Sequence, residues 1–416
     1  AIIGSALVGS LAYTFTDSFW FSAVEGEVYA MASLFTAIVF WAILKWDDEL
    51  RYKQKMLQET GRSSLRWIIL IMFILGLAIG VHLLGLLAIP AIAYVIYFNH
   101  YKNITVGGFI LTGVIGVFTL GFIQEGIIPG TVRIASAFER SFVNSFGLPF
   151  NSGTIVFFIL LIAVVLIALH FSRKAKSAVW NTAVLSFAVL MIGYSCFAMI
   201  VIRSNANTPL DENDPENLVT LHSYLKREQY GQFPLVYGQY FNSKRNQSKE
   251  WKDGTPTYLR RFVIERAGKD VKGFKHIKEA EAFKAKNGGE IVEKYYLSND
   301  AKEKFPTYEQ NTFFPRMYAN QAPDHKKDGY RNWSGYDENL VSEKKARKRS
   351  RKKGNIGTDG KRVPTFNENM TYFVNYQVNF MYWRYFLWNF SGRQNDIQGT
   401  YANADGGWIT GIAAVD

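Results

Sequence analysis

From Trp67 to Phe98 the chain runs for 32 residues without a formally charged side chain, and no other feature limits its fold so strongly. About 20 helical residues cross ~30 Å of hydrocarbon at 1.5 Å per residue. The stretch is therefore either one steeply tilted span or two short helices joined near Gly80, Val81 and His82. Further apolar runs cover Ala1 to Tyr13, Val28 to Trp46, Val106 to Gln124, Gly153 to Phe171 and Ala178 to Ile202, and none follows Arg203. The reading is a polytopic α-helical membrane protein in which residues 1–202 form about seven spans, the first truncated and 67–98 a two-helix hairpin. Residues 203–371 form an external mixed α/β region, and 372–416 an aromatic interfacial helix with a membrane-proximal segment.

Charge chooses between the two forms of the long stretch. Arg51, Lys53, Lys55, Arg62 and Arg66 precede it, and Arg173, Lys174 and Lys176 sit in the short SRKAKS turn. Loops rich in Lys and Arg stay in the cytoplasm, and only a reversal at His82 puts both sets there. The same reversal places Glu125 to Ser152, and everything after Arg203, outside. The net charge of +12 comes largely from such loops and from the run Lys344 to Lys353, within a solvated, mobile basic loop at 343–362. Nucleic acid is therefore not a partner this charge calls for. A lone Cys196 in an apolar run excludes a disulfide framework and a Cys-based metal site within the chain. The opening AIIGSALVGSLAY lacks the features of a signal peptide and reads as the interior of a longer chain.

Beyond Arg203 the pattern changes. Asn205 to Pro215 reads as irregular loop, then Asp214 as an N-cap, Pro215 as the first helical position, and Leu218, Leu221 and Leu225 as one buried stripe. PLVYG, TYLRRFVI and EIVEKYYL read as strands. The segment Tyr372 to Phe390 is dense in aromatic residues, yet Asn375, Gln377, Asn379 and Arg384 make it a poor lipid-crossing helix. It fits a helix lying on the outer leaflet, where Trp and Tyr rings favour headgroup depth; an aromatic core helix of the external region is the other reading.

Three groups of residues could carry chemistry. Asp17, Glu25 and Glu27 flank one membrane boundary, and Glu25 and Glu27 stand about 200° apart if both lie on one helix. Glu27 is the deeper, and an ionisable group near lipid is costly enough to suggest a purpose. His82 follows Gly76 and Gly80 in an apolar run, where an imidazole could bind phosphate or relay a proton. Arg203, Arg384 and Arg393 stand near the outer boundary, and the planar guanidinium fork suits phosphate. Solvated acids at a helix end, a satisfied interhelical histidine and headgroup-anchoring arginines are the structural alternatives. The chain carries no P-loop, Rossmann glycine pattern, serine-hydrolase elbow or HExxH.

The blocks SLAYTFTDSFWFSAVEGEVYAMASLFTAIVFWAILKW, LGLAIGVHLLGLLAIPAIAY, IRSNANTPLDENDPEN with REQYG, and FMYWRYFLWNFSGRQNDIQG resemble a known family. It is domain of unknown function 2723, abundant in Bacteroidota and grouped with the GT-C glycosyltransferases, with eukaryotic relatives that look like protein O-mannosyltransferases. The resemblance implies a multi-pass enzyme of a bacterial inner membrane with its large domain in the periplasm. Its donor would be a polyprenyl-phosphate-linked sugar, its acceptors hydroxyl groups of secreted or periplasmic proteins. The family's principal catalytic Asp is expected upstream of Ala1. Glu27, then Glu25, and His82 would line the catalytic cavity, and Arg393, Arg384 and Arg203 would meet the lipid phosphate. The resemblance does not specify whether a divalent metal takes part. A second class stays open: a non-catalytic membrane subunit of a secretion or envelope-assembly complex, its partners other subunits. A transporter fits less well, because the polar residues cluster at helix ends and not at the bilayer midplane.

Overall fold

The computed structural model describes residues 1–416 apart from 27, 56–64, 207, 228–236, 240, 242, 255–257, 298–303, 310, 314–323, 338–361, 396–405 and 415–416. Its first helices are α1 (Ile2–Thr14), α2 (Asp17–Val24), α3 (Tyr29–Lys55), α4 (Leu65–Ile79), α5 (Ile89–His100), α6 (Val106–Gly121), α7 (Ile128–Phe146), α8 (Ser152–Lys174), α9 (Ala178–Tyr194), α10 (Ala198–Ser204) and α11 (Leu218–Leu225). Two short strands follow, β1 (Tyr237–Gln239) and β2 (Trp251–Asp253), then β3 (Tyr258–Arg266), β4 (Lys269–Phe274), α12 (Ile277–Asn287) and β5 (Glu290–Leu297). The remainder is β6 (Lys304–Pro306), β7 (Asn311–Phe313), α13 (Asp324–Ser334) and a long helix built of Phe366–Tyr372, a π-helical Phe373–Trp383 and Arg384–Phe390. Sequence polarity draws a boundary at residue 203, whereas contacts divide the chain into a first unit of Ala1–Gln229 with Thr257–Ser298 and a second of Tyr230–Pro256 with Asn299–Asp416.

In the first unit, α3 serves as a ruler for the long uncharged stretch. At its start the Tyr29 ring lies 5.6 Å from the His82 ring. Near its other end Glu49 accepts hydrogen bonds from Arg66 Nη2 at 3.0 Å and Trp67 Nε1 at 2.7 Å, while Asp47 accepts one from Asn99 Nδ2 at 2.6 Å. The beginning of α4 and the end of α5 thus lie together, and the turn between them lies at the opposite end of α3. The two helices are antiparallel. At the reversal Gly80 lets α9's extension come close, since a Cβ there would lie within 2.4 Å of Cys196 Sγ. His82 N then donates to Ala78 O at 2.8 Å, and a 3₁₀ turn over Leu83–Ala88 leads into α5 with Pro90 in its first turn.

Glycines set the neighbours. Gly108, Gly113 and Gly116 of α6 face Tyr97, Tyr94 and Pro90 of α5 in reverse order, which makes the pair antiparallel. Gly76 faces Leu190 and Gly193 of α9, and Gly80 faces Cys196, so α4 and α9 run the same way. Asn181 Nδ2 donates to Ser172 Oγ at 3.2 Å, fixing the α8–α9 turn. The bundle therefore has one end carrying Arg51, Arg66, Arg173 and Lys174, here called the basic end, and another carrying His82 and the exit of α10. Among the described residues five stretches are long and apolar enough to cross a membrane: Tyr29–Tyr52, Leu83–His100, Val106–Phe146, Ser152–Lys174 and Ala178–Ser204; Ile2–Thr14 and Leu65–Ile79 are shorter apolar helices. Of these Ser152–Lys174, at mean hydropathy 3.0, is only 6% buried, so its outer surface needs lipid and not water.

The stretch Val106–Phe146 is too long for one crossing, and a π turn at Phe122–Ile127 with Pro129 just beyond breaks it. The second part, α7, is amphipathic and buries Val132, Ala135, Ser136, Glu139 and Val143 at spacings of three and four. On it sits the antiparallel sheet β4-β3-β5. The carboxylate of Glu139, 1% exposed, accepts from Asn151 N at 2.6 Å, Thr154 N at 2.9 Å, Thr154 Oγ1 at 3.0 Å and Tyr295 Oη at 3.2 Å. One side chain thereby caps α8 and ties β5 to α7. Asn144 adds a strand-like pairing, donating from Nδ2 to Tyr295 O and accepting from Tyr295 N, each at 2.9 Å. Burial, with the Glu139 charge second, pushes the Tyr295 hydroxyl well above the usual tyrosine range.

Helix α11 starts later than the sequence suggests. Its N-cap is Asn217, whose side chain accepts from Val219 N and Thr220 N in a capping box with Thr220. Asp214 instead takes a left-handed turn at φ +46 and receives Lys275 Nζ at 3.0 Å. Val219 and Leu221 are the buried residues of the helix.

The second unit is built around rings. Phe241, Tyr330, Tyr336, Tyr372, Tyr376 and Phe380 form its core, and the strand pairs β1–β7 and β2–β6 are antiparallel. Tyr330 Oη donates to Asn369 Oδ1 at 2.6 Å, and Tyr336 Oη donates to Arg362 O. Of the basic loop expected at 343–362, residues 343–361 lie outside the described set, and its last residue departs from the solvated reading. Arg362 is buried, stacks 4.8 Å from the Tyr336 ring and forms a two-pronged ion pair with Glu368.

Candidate functional site

His82 stands where the hairpin turns. Its backbone is extended, at φ −161 and ψ 138, and Nδ1 accepts from Leu84 N at 3.0 Å, capping the 3₁₀ turn. That bond settles the tautomer of the neutral ring: the proton is on Nε2. Nε2 has no hydrogen-bond partner among the described residues. The half-buried imidazole is thus anchored through one nitrogen and by Tyr29, with the other nitrogen left for chemistry.

Of the acids, Glu25 is described at the turn between α2 and α3. Glu25 ends α2, its N donating to Phe21 O at 3.0 Å, and Gly26 at φ +69 turns the chain before Tyr29. Helix α2 thus stops before Gly26, and the 200° separation expected of one continuous helix does not carry over. A left-handed glycine interrupts it. The Glu25 side chain is exposed; Glu27 lies outside the described residues, as does the side chain of Asp17. Arg203 is exposed in the last turn of α10, at the same end of the bundle as His82. Glu25, His82 and Arg203 thus share one end of the first unit.

Arg384 and Arg393 belong to the second unit, where they meet over one ring. Their guanidinium carbons lie 4.8 Å and 4.4 Å from the Trp388 ring. Arg384 donates from Nε to Phe380 O at 2.9 Å and from Nη1 to Gly406 O at 3.1 Å, so it also holds the segment after the helix. Burial, then the charge of Arg393, lowers its pKa.

Sequence reasoning passed over Tyr29, although it follows the acids by two residues, and Glu139, which looks like an ordinary acid of an external segment. A signal for Glu139 was present in the amphipathic spacing of α7. No group of three or more His, Cys, Asp or Glu side chains with metal-binding geometry occurs among the described residues.

Comparison with known proteins bears on the first unit most directly. No curated protein and no solved structure matches the chain. Residues 231–374 match the model of a family of unknown function, DUF8416. Residues 1–105 match the model of the protein O-mannosyl-transferase TMEM260 N-terminal domain. That matched segment contains Glu25, Tyr29 and His82, so the part of the chain that builds the hairpin turn is similar to a protein O-mannosyltransferase.

Proposed function

We propose that this chain is part of a multi-pass glycosyltransferase that moves a sugar from a polyprenyl-phosphate carrier to hydroxyl groups of periplasmic or secreted proteins, in the GT-C manner. The observation that carries the reading is the imidazole at the hairpin turn, pinned through Nδ1 with Nε2 unused, at the end of the bundle opposite the basic residues. Basic loops stay in the cytoplasm, so the His82 end faces outward from a bacterial inner membrane. Glu27, with Glu25 second, is the carboxylate that takes the proton of the acceptor hydroxyl. The acceptor oxygen forms a bond to the anomeric carbon as the bond from that carbon to the carrier phosphate breaks, releasing polyprenyl phosphate. His82 Nε2 and Arg203 donate to the departing phosphate oxygens, where charge builds up.

Two substitutions at one position separate chemistry from structure. Asn at position 82 retains a side-chain oxygen able to cap Leu84 N but removes Nε2; Ala removes both. In the full-length protein, His82→Asn is expected to elute as a folded monodisperse species and to lose transfer to periplasmic glycoproteins by on the order of 10²-fold. Undiminished glycosylation by both His82→Asn and Glu27→Gln would sink the enzymatic reading and favour a non-catalytic subunit.

A further inference from the structure

We propose that Arg140 and Arg260 of the first unit form a binding site for the phosphate of a lipid headgroup, at the point where α8 enters the membrane. The inference stands whether or not the chain transfers sugar.

The two residues come from different elements and meet on one side of the sheet. Arg260 lies on β3, opposite Tyr295 of β5 and two residues after Tyr258, so Tyr258, Arg260 and Tyr295 share the face that α7 covers. Arg140 follows Glu139 on α7. Each guanidinium sits over a ring, Arg140 4.1 Å from Tyr258 and Arg260 4.1 Å from Phe150. The Phe150 ring meets Tyr295 edge-on at 5.3 Å, and Tyr295 Oη donates to Glu139. Rings thus hold both cations by their faces, which leaves the N–H edges for an acceptor.

Among the described residues nothing accepts from those edges. Nε of each arginine is shut off from water without a hydrogen bond, and neither guanidinium takes part in a hydrogen bond or ion pair there. Acids stand near, and the charge of Arg260 is felt at Glu216. Their oxygens are engaged elsewhere: Glu139 by Asn151 N, Thr154 and Tyr295 Oη, Glu293 by Phe150 N, and Glu216 by Asp214, which also receives Lys275 Nζ. Two planar forks with no donor bonded call for a ligand rich in acceptors, and a phosphate ester has that geometry. Position selects a lipid as its source. Phe150 stands just before α8, whose far end carries Arg173 and Lys174. Ile155, in the first turn of α8, is already 59% exposed, so the lipid-facing surface begins beside the ring on which Arg260 rests. Glu139 caps the same helix and sets Arg140 at a similar depth, where headgroup phosphates surround the protein.

The test follows thermal unfolding of the full chain in dodecyl maltoside micelles with three additives: phosphatidylglycerol, diacylglycerol, which lacks the phosphate, and glycerophosphate, which lacks the chains. Phosphatidylglycerol is expected to raise the melting temperature of the wild type saturably, and the other two to leave it unchanged. Arg140→Gln with Arg260→Gln should need at least about tenfold more phosphatidylglycerol for the same rise. Arg140→Lys with Arg260→Lys keeps a cation over each ring, which guards against loss of the fold, yet lacks the fork and should also bind more weakly. Arg133→Gln, exposed on the same helix, should respond as the wild type does, which separates this site from general attraction to an anionic lipid. A rise with glycerophosphate alone would assign the site to a soluble ester and overturn the lipid as its occupant. An equal phosphatidylglycerol response from the wild type and both double variants would mean that the guanidiniums only pack the sheet on α7, and would overturn the proposal.

Discussion

The two units bury opposite kinds of surface. The bundle's core is aliphatic, built from Val39, Ile71, Leu75, Leu86, Ile123 and Leu190 among others, and its helices meet where glycines let backbones touch. Its outer surface is as apolar as its interior: Ile155, Ile159, Leu166 and Phe171 on α8 are all exposed. The second unit's core is a cluster of rings in which the Tyr330 and Tyr336 hydroxyls are bonded to Asn369 and to the Arg362 carbonyl. Lipid supplies no hydrophobic driving force between helices, so close fit must hold them; water supplies that force but demands a partner for every buried polar atom. The difference predicts which kind of damage each unit tolerates.

The largest effect belongs to the glycine crossing. A Cβ on Gly76 would sit 2.3 Å from Leu190 O, and one on Gly193 2.6 Å from Phe73 O, both backbone atoms that cannot swing aside. Gly76→Leu and Gly193→Leu are expected to cost more than the roughly 1–3 kcal/mol usual for overpacking and to abolish the monodisperse peak in detergent size-exclusion chromatography. Gly107→Ala, with nothing within 4 Å of its Cβ, should leave the peak and the melting temperature unchanged. If all three behave alike, close helix approach is not what holds the bundle.

Next comes Glu139, a buried carboxylate in the bundle unit. Glu139→Ala leaves Asn151 N, Thr154 N and Tyr295 Oη without their acceptor, a loss on the order of 3 kcal/mol. Thermal unfolding should report it, and limited proteolysis should release the β3–β5 sheet from α7 before the helices are cut. An intact sheet in the variant would move the docking to Asn144 and the rings around Phe150.

How far the amino-acid pattern reaches follows the same division. The polytopic helical class, the helical runs and strands β3 and β5 were legible, because hydropathy over twenty residues and period-two alternation are local properties. The α2–α3 break was not, since Glu25 and Glu27 read as one helix until the left-handed Gly26 is seen. Asp214 carried the right residue type for an N-cap, but Asn217 offers a partner in Thr220 and won. The core reading of the aromatic helix holds for one face, while the other face is exposed. Composition counts the rings but does not assign them to faces, because the π segment alters the period on which such an assignment rests. Among the candidate site residues, sequence placed Glu25, His82 and Arg203 on one side by charge alone, while the Nδ1 anchor and Tyr29 needed coordinates.

The third test concerns the second unit's dependence on pairing. Burial alone would raise the Glu368 carboxyl, but the Arg362 guanidinium and the Thr365 donors outweigh it and hold its pKa below the ordinary value of 4.5. A depressed folded-state pKa contributes stability that is complete above the unfolded value and is lost as pH falls through the folded one. Near-ultraviolet circular dichroism of the rings should therefore weaken below about pH 4.5 in the wild type. Glu368→Gln, lowering stability by about 2 kcal/mol at neutral pH, should weaken that dependence. A variant with the parent's full acid response would assign it to other carboxylates.

The smallest expected effect probes the boundary between the two regimes. Lys226 donates to Glu125 at 3.1 Å, joining the end of α11 to the π turn after α6, and the side chains are 40% and 70% exposed. In water such a pair contributes under about 1 kcal/mol and weakens with salt. Glu125 follows Phe118, Gly121 and Phe122 along a shallow apolar groove, so in a bilayer the pair stands where water thins out. Lys226→Ala should lower the melting temperature by no more than about 1–2 °C in detergent, in line with that small energy. In nanodiscs, where the headgroup region lowers the local dielectric, the same change should cost more and respond less to salt. Equal, salt-sensitive losses in both settings would place this end of the bundle in open water, and would shift the upper edge of the lipid-facing surface below Glu125.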